Sequence, residues 1–287
     1  MATTFARVPF GGAGPRFSTV HTGPIAATPL DAARVYRLLA TPEPGHYTND
    51  LYANGALLPP PPHLARVAVA GLHIGVYWNH FNDCTEQVRA QVRQALARLE
   101  DQGAHIVNIT IPHLSVLSLA HALTIATEFS LLLDHKYGLG WPFEAQSLIT
   151  LAVGRTTASM EYASAAIAKG WAIHYFQQLF ASVDVIATPT IADPQLFAYD
   201  ARMAAAGESD TARTVQAMKY IFLTNLLGFP GLTVPLDTIT APPLPIGLHL
   251  MANHWNDATL LSVAADIFSV TQQNRRQPAV FFDALSS

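Results

Sequence analysis

Cysteine is almost missing from this 287-residue chain, with Cys84 the only one. That excludes an internal disulfide framework and any cysteine-rich zinc or iron–sulfur site, and a single unpaired thiol suits a reducing compartment. Charge is scarce too: charged residues make up 13%, against roughly 25% in typical soluble chains. Lysine is limited to Lys136, Lys169 and Lys219, each in a helical or helix-end context that reads as surface. The net charge of −4 and pI near 6.3 lack the basic footprint of a nucleic-acid binder. Hydrophobic residues reach 50%, which excludes intrinsic disorder. A long uninterrupted apolar run is also lacking. The longest charge-free stretch, residues 102–127, is broken by Pro112 and holds His105, His113 and His121, so no membrane span is expected. Residues 1–10 carry no basic region followed by an apolar one. The expected location is intracellular, either cytoplasmic or peripheral to a membrane.

Signature motifs are missing as well. There is no phosphate-binding G-x-x-x-x-G-K-[ST], no dinucleotide G-x-G-x-x-G, no G-x-S-x-G elbow and no H-E-x-x-H. His113 and His121 lie eight apart in one helical stretch, roughly on one face, and His249 and His254 flank a strand end. Without cysteines or paired carboxylates at ligand spacing these histidines read as partly buried residues bonded to backbone, so neither a metal nor a cofactor is expected. Glu128 and Asp134, six apart on a helix, point in different directions and read as separate, solvated or ion-paired carboxylates.

What is present is an alternation of helix and strand. Thr28, Pro29 and Asp31 form a helix start, with the carboxylate at the third position. Residues 41–63 form a proline-rich connection ending in Pro59-Pro60-Pro61-Pro62. His73–Trp78 alternates as a strand. A helix follows with Val88, Val92, Ala95, Leu96 and Leu99 on one face, then a β-branched strand over Ala104–Ile111. That is a βαβ unit, and it makes an α/β layered fold the first choice. Helices are expected from Pro112 to about His135, over Ala145–Val153, Ser159–Phe180 and Thr211–Leu227, and over Asp257–Thr271. Short strands are expected at Asp184–Thr188, Leu232–Leu236 and Ile246–Met251. The chain reads as one domain, 1–287.

Four ordered stretches carry a resemblance. They are Thr22-Gly23-Pro24-Ile25-Ala26-Ala27-Thr28, Val183–Thr190 around Ala187-Thr188-Pro189-Thr190, Thr224–Gly231 with Gly228-Phe229-Pro230-Gly231, and Leu244–Met251. In order and spacing they resemble the C-terminal half of the amidase signature family. Trp78–Asp83, Trp255 and the ending Gln277–Asp283 resemble its plant-type fatty acid amide hydrolase branch. The resemblance implies a three-layer α/β/α fold around a mixed central sheet. It also implies amide hydrolysis by a lysine, a bridging serine and a nucleophilic serine, with backbone N–H groups stabilising the oxyanion. Those three residues lie upstream of the portion that this chain matches. No catalytic role is therefore carried over to any residue here, and the chain is expected to be inactive on its own. The alternative is a non-catalytic remnant that binds a lipid amide or a partner.

The remaining candidates are pocket residues. Val215, Met218, Phe222 and Asn225 share one face of the Thr211–Leu227 helix at steps of three and four. The resemblance makes this a wall of an acyl channel, and ordinary core packing is the alternative. Asn225 reads either as a pocket contact or as a helix-end bond. Thr188 and Thr190 sit at the strand edge where α/β folds place their sites, or they cap the turn at Pro189. Trp255 either borders the pocket or covers the core. The expected ligand is a long-chain acyl amide. Low charge also leaves room for peripheral membrane contact and for a homo- or hetero-oligomer.

Overall fold

A computed structural model describes residues 1–8, 17–40, 68–138, 142–143, 145–197, 211–238 and 244–271. The proline-rich connection at 41–63 lies outside the described residues, as does the ending at 277–283. The first helix, α1 (Pro29–Leu39), starts as its sequence dictates: Thr28 Oγ1 accepts from the Asp31 backbone N–H at 3.0 Å and donates to the Asp31 carboxylate at 2.7 Å. The βαβ unit follows. Strand β1 (His73–Val76) leads through the single-turn α2 (Trp78–Phe81) and α3 (Glu86–Asp101) to β2 (His105–Asn108), which pairs with β1 in parallel. Both strands are shorter than their β-branched runs suggest, because the chain turns into α2 after Val76 and leaves the ladder after Asn108.

Three long helices come next: α4 (Leu114–Tyr137), α5 (Ala145–Thr156) and α6 (Ser159–Leu179). Strand β3 (Val185–Pro189) returns the chain to the sheet. The helix expected over Thr211–Leu227 is two: α7 (Thr211–Met218) and α8 (Phe222–Leu227), broken at Lys219–Ile221. Strands β4 (Gly231–Thr238) and β5 (Pro245–Ala252) lead to α9 (Asp257–Thr271).

The strands form one mixed sheet in the order β2-β1-β3-β5-β4. β1 runs parallel to β2 and β3, whereas β5 runs antiparallel to β3 and β4. Pleat alternation sorts the side chains onto two faces. Val185, Ala187, Leu248 and Leu250 point into one core, shared with α1, α3 and α9. Ile186 and Met251 point into the other, against Leu117 of α4, Ala172 and Phe176 of α6, and α8. This is a three-layer α/β/α arrangement.

The helix α4 is long and apolar enough to cross a membrane by length and composition. In this fold it packs against α5, α6 and α8, and it buries the polar side chains of His121, Thr124 and Ser130. Its crossing with α5 is close because Gly154 has no side chain: a Cβ there would lie 2.0 Å from the Ala126 carbonyl oxygen.

Candidate functional site

The break between α7 and α8 has a tertiary cause. The Tyr220 hydroxyl donates to the carbonyls of His80 at 3.0 Å and Asp83 at 2.7 Å, and Lys219 pairs with the Asp83 carboxylate. These bonds pull the chain out of helical register for one turn. As a result the face predicted for a single helix is divided. Val215 and Met218 on α7 and Phe222 at the start of α8 do converge, on a cavity of about 220 Å³ between those helices, α4 and α5. Ile125, Ile149 and Val153 complete much of its apolar wall. Val215 is 43% exposed at the rim, whereas Phe222 is buried. Four polar side chains interrupt this lining, Ser118 and His121 of α4, Thr150 of α5 and Thr214 of α7, and of these His121 is only 3% exposed.

Asn225 does not line this cavity. Its Oδ1 accepts from Thr224 Oγ1 at a long 3.4 Å within α8. Thr188 and Thr190 lie elsewhere, at the end of β3. Thr188 is buried and stands in register with His249 of β5, its Oγ1 3.2 Å from His249 Nδ1. Burial pushes the His249 imidazole down to about 4. Thr190 Oγ1 donates to Thr233 Oγ1 at 3.3 Å, and its backbone N–H donates to the Gly247 carbonyl at 2.9 Å. Thr188, His249 and Thr233 thus form a polar row across three strands. Two glycines leave space for it. A Cβ at Gly231 would sit 2.9 Å from His249 Nε2, and one at Gly247 would sit 2.8 Å from Thr190 Oγ1.

Trp255 is half-buried and holds a left-handed backbone with φ of 70°. Its N–H donates to Thr4 Oγ1 at 2.9 Å. Thr4 in turn donates from its hydroxyl and its backbone N–H to Asp257, at 2.6 and 2.9 Å. Asp257 is almost wholly buried, and burial raises its carboxyl above the usual range even though these bonds favour the charged form.

A second polar cluster anchors the N-terminal segment on the helices. The Glu128 carboxylate accepts from the backbone N–H of Ser18 at 2.8 Å, from Ser18 Oγ at 2.6 Å and from the Tyr162 hydroxyl at 3.1 Å. Lys169 Nζ donates to the Ser18 carbonyl at 2.9 Å, and burial lowers its ammonium below the usual lysine range. Lys169 and Lys219 are therefore not surface lysines: each is held against a distant segment. Asp134 pairs instead with Arg155 across the α4–α5 crossing. His113 stands just before α4 in a left-handed conformation, edge-on to Trp171, so it does not share a helical face with His121. His249 and His254 do flank the end of β5, His249 within the strand and His254 beyond it. Among the described residues no three metal-ligating side chains come together.

Sequence reasoning found the α7 and α8 wall but not its opposite side. The available signal was a lone histidine at position 121 within the charge-free stretch of α4.

Residues 3–261 match the family model described as Amidase. The chain is 29% identical to a fatty acid amide hydrolase of Medicago truncatula over 278 residues, covering 92% of this chain and 44% of that protein. It is 30% identical to the one of Oryza sativa subsp. japonica over 301 residues, covering all of this chain and 48% of the relative. The chain therefore spans about half the length of the curated relatives it matches. Among solved structures, an amidase superposes with a TM-score of 0.73 at 19% identity, covering 94% of this chain and 57% of that one. A bacterial aryl acylamidase of the amidase signature family superposes with a TM-score of 0.72 at 17% identity, again covering 94% and 57%.

Proposed function

The chain belongs to the amidase family, and from that membership we propose that it supplies the substrate-binding side of an amidase acting on acyl amides with an apolar chain. The observation that carries this reading is the cavity walled by Val215, Met218 and Phe222 against α4 and α5. Its lining is mostly carbon, so a ligand's apolar chain gains by leaving water there. The names of the plant relatives agree with an acyl-amide ligand. Thr188, Thr190, Asn225 and Trp255 lie outside the cavity lining, and in this reading they shape the surrounding framework.

In this reading none of the chain's three lysines is the amide-cleaving base; Lys136 lies over the Tyr137 ring. Lys169 is engaged by the Ser18 carbonyl and Lys219 by Asp83. The reacting groups in this proposal belong to polypeptide outside the portion of the relatives that this chain matches, and the chain alone binds without hydrolysing. The test is isothermal titration of the purified chain with dodecanamide, followed by an assay for released ammonia. Saturable binding with no ammonia is expected. Absence of binding, or steady hydrolysis, overturns the reading.

A second reading has its own observation. Leu119, Leu131, Met160 and Ile167, on the mutually packed helices α4 and α6, are 60 to 75% exposed, and exposed apolar surface gathered on one face favours a docking partner. In this reading the chain pairs with a polypeptide carrying the rest of an amidase fold. Light scattering of the purified chain mixed with the amino-terminal portion of the Medicago truncatula relative tests it: a stoichiometric complex is expected, and two species that remain separate count against it.

A further inference from the structure

The apolar cavity holds one feature that an acyl-chain channel does not need. His121 lines it, is 3% exposed, and has a ring nitrogen, Nε2, with no hydrogen-bond partner. Its ring packs at 5.7 Å from that of Phe222, the residue that opens α8. A buried donor or acceptor left unpaired is costly, and native interiors rarely keep one without a reason. A leucine or phenylalanine would fill the same place on α4 without that cost.

The electrical state of the ring narrows what can meet it. Burial pushes the imidazole down to about 4, with the nearby Lys169 charge acting the same way, so at neutral pH the ring is uncharged. A neutral imidazole offers one donor and one acceptor, according to its tautomer. A hydroxyl or a carboxamide can answer either one. A carboxylate can only accept, and it would lose its hydration in a carbon-lined space without touching a cation. An alkyl chain alone leaves the nitrogen unpaired.

We propose that this cavity binds an apolar chain bearing one uncharged hydrogen-bonding group, a hydroxyl or carboxamide, and that His121 is the specificity-determining residue that receives it. The proposal rests on the reading of the cavity as a chain-binding site. It adds that the site discriminates by the polar group and not by chain length alone.

The experiment is titration calorimetry with four eight-carbon probes: 1-octanol, octanamide, 1-chlorooctane and octanoate. The alcohol and the amide are expected to bind about tenfold tighter than the chloride, the size of effect that one hydrogen bond gives, with octanoate weakest. In His121→Leu the preference is expected to vanish while the chloride binds at least as well, and His121→Gln is expected to restore part of it. Nitrogen NMR of the wild-type imidazole gives a readout that needs no variant: octanol is expected to shift the His121 Nε2 resonance, and 1-chlorooctane is not. Equal affinities for octanol and chlorooctane, with no imidazole shift, overturn the role of His121 while leaving chain binding intact. If no probe binds at all, the cavity reading itself falls with it.

Discussion

The carboxylate of Asp257 receives both the backbone N–H and the hydroxyl of Thr4, at 2.9 and 2.6 Å, across 253 residues of chain. Asp257 is the first residue of α9, where the helix's free N–H groups favour a negative charge. One side chain therefore starts the last described helix and holds down the segment around Thr4. The backbone bond from Trp255 to Thr4 Oγ1 completes the clasp.

Removing the carboxylate should be costly. Asp257→Ala leaves a buried N–H and hydroxyl without an acceptor, and a loss of about 3 kcal/mol is expected, since bonds to a charged group carry roughly 1.5–3 kcal/mol each. Thr4→Val keeps the backbone bond but removes the hydroxyl that donates to Asp257 and accepts from the Trp255 N–H, so a loss of similar size is expected. Urea unfolding of both variants checks this; a wild-type midpoint in either would contradict it.

The α4–α5 crossing should not tolerate a methyl group. In Gly154→Ala the new Cβ would lie 2.0 Å from the Ala126 carbonyl oxygen and 2.1 Å from Ser130 Oγ. The helices must part, at a cost of about 1–3 kcal/mol for such overpacking. A lowered melting temperature is expected. Adding Ser130→Ala should not restore it, because the backbone carbonyl remains in the way.

Mild acid should weaken the fold through its buried histidines. His121 and His249 are buried and neutral, with folded pKa values pushed down to about 4 from an unfolded value near 6.5. Between those values the unfolded chain binds more protons than the native one, so stability is full above about 6.5 and falls as the pH drops toward 4. Each histidine contributes a slope of up to ~1.4 kcal/mol per pH unit. Urea midpoints at pH 7.5 and 5.0 check this, with a lower midpoint at pH 5.0. In His249→Gln the difference should shrink; identical midpoints in the wild type would rule the effect out.

The N-terminal segment should be detachable from the helices without unfolding them. Glu128→Ala removes the acceptor for the Ser18 N–H and hydroxyl and for Tyr162. Hydrogen exchange of the Ser18 amide is expected to speed up by at least tenfold, with the amides of β3 and β5 unchanged. Protection at Ser18 equal to wild type would show that Lys169 alone holds the segment.

Much of the layered core was legible in the sequence because it follows local periodicity. The βαβ unit, the apolar face of α3 and the span of α9 come from spacing that neighbouring residues enforce. The break in the Thr211–Leu227 helix was not legible. Its residues all accept helical geometry, and what interrupts them is Tyr220 bonding to carbonyls at positions 80 and 83. Lys169 read as surface for the same reason: its partner, Ser18, is 151 residues away. Of the cavity, the α7 and α8 side was visible as an apolar stripe, whereas His121 and the α5 wall become neighbours only through tertiary packing.

The antiparallel bridge between Ala2 and Gly231, on the edge strand β4, sets an order on biosynthesis. Ala2 and Thr4 leave the ribosome long before the strand and the helix that bond them, Asp257 following Thr4 by 253 residues. Until then Thr3 and Thr4, both buried in the finished fold, have no site to occupy. Contacts at such sequence separation form slowly, and larger chains with exposed sheet edges collect aggregation-prone intermediates. The nascent chain must keep this segment unpaired while the intervening helices and strands are made, so recovery in a recombinant host should depend more on elongation rate and chaperone supply than on the stability of the folded product.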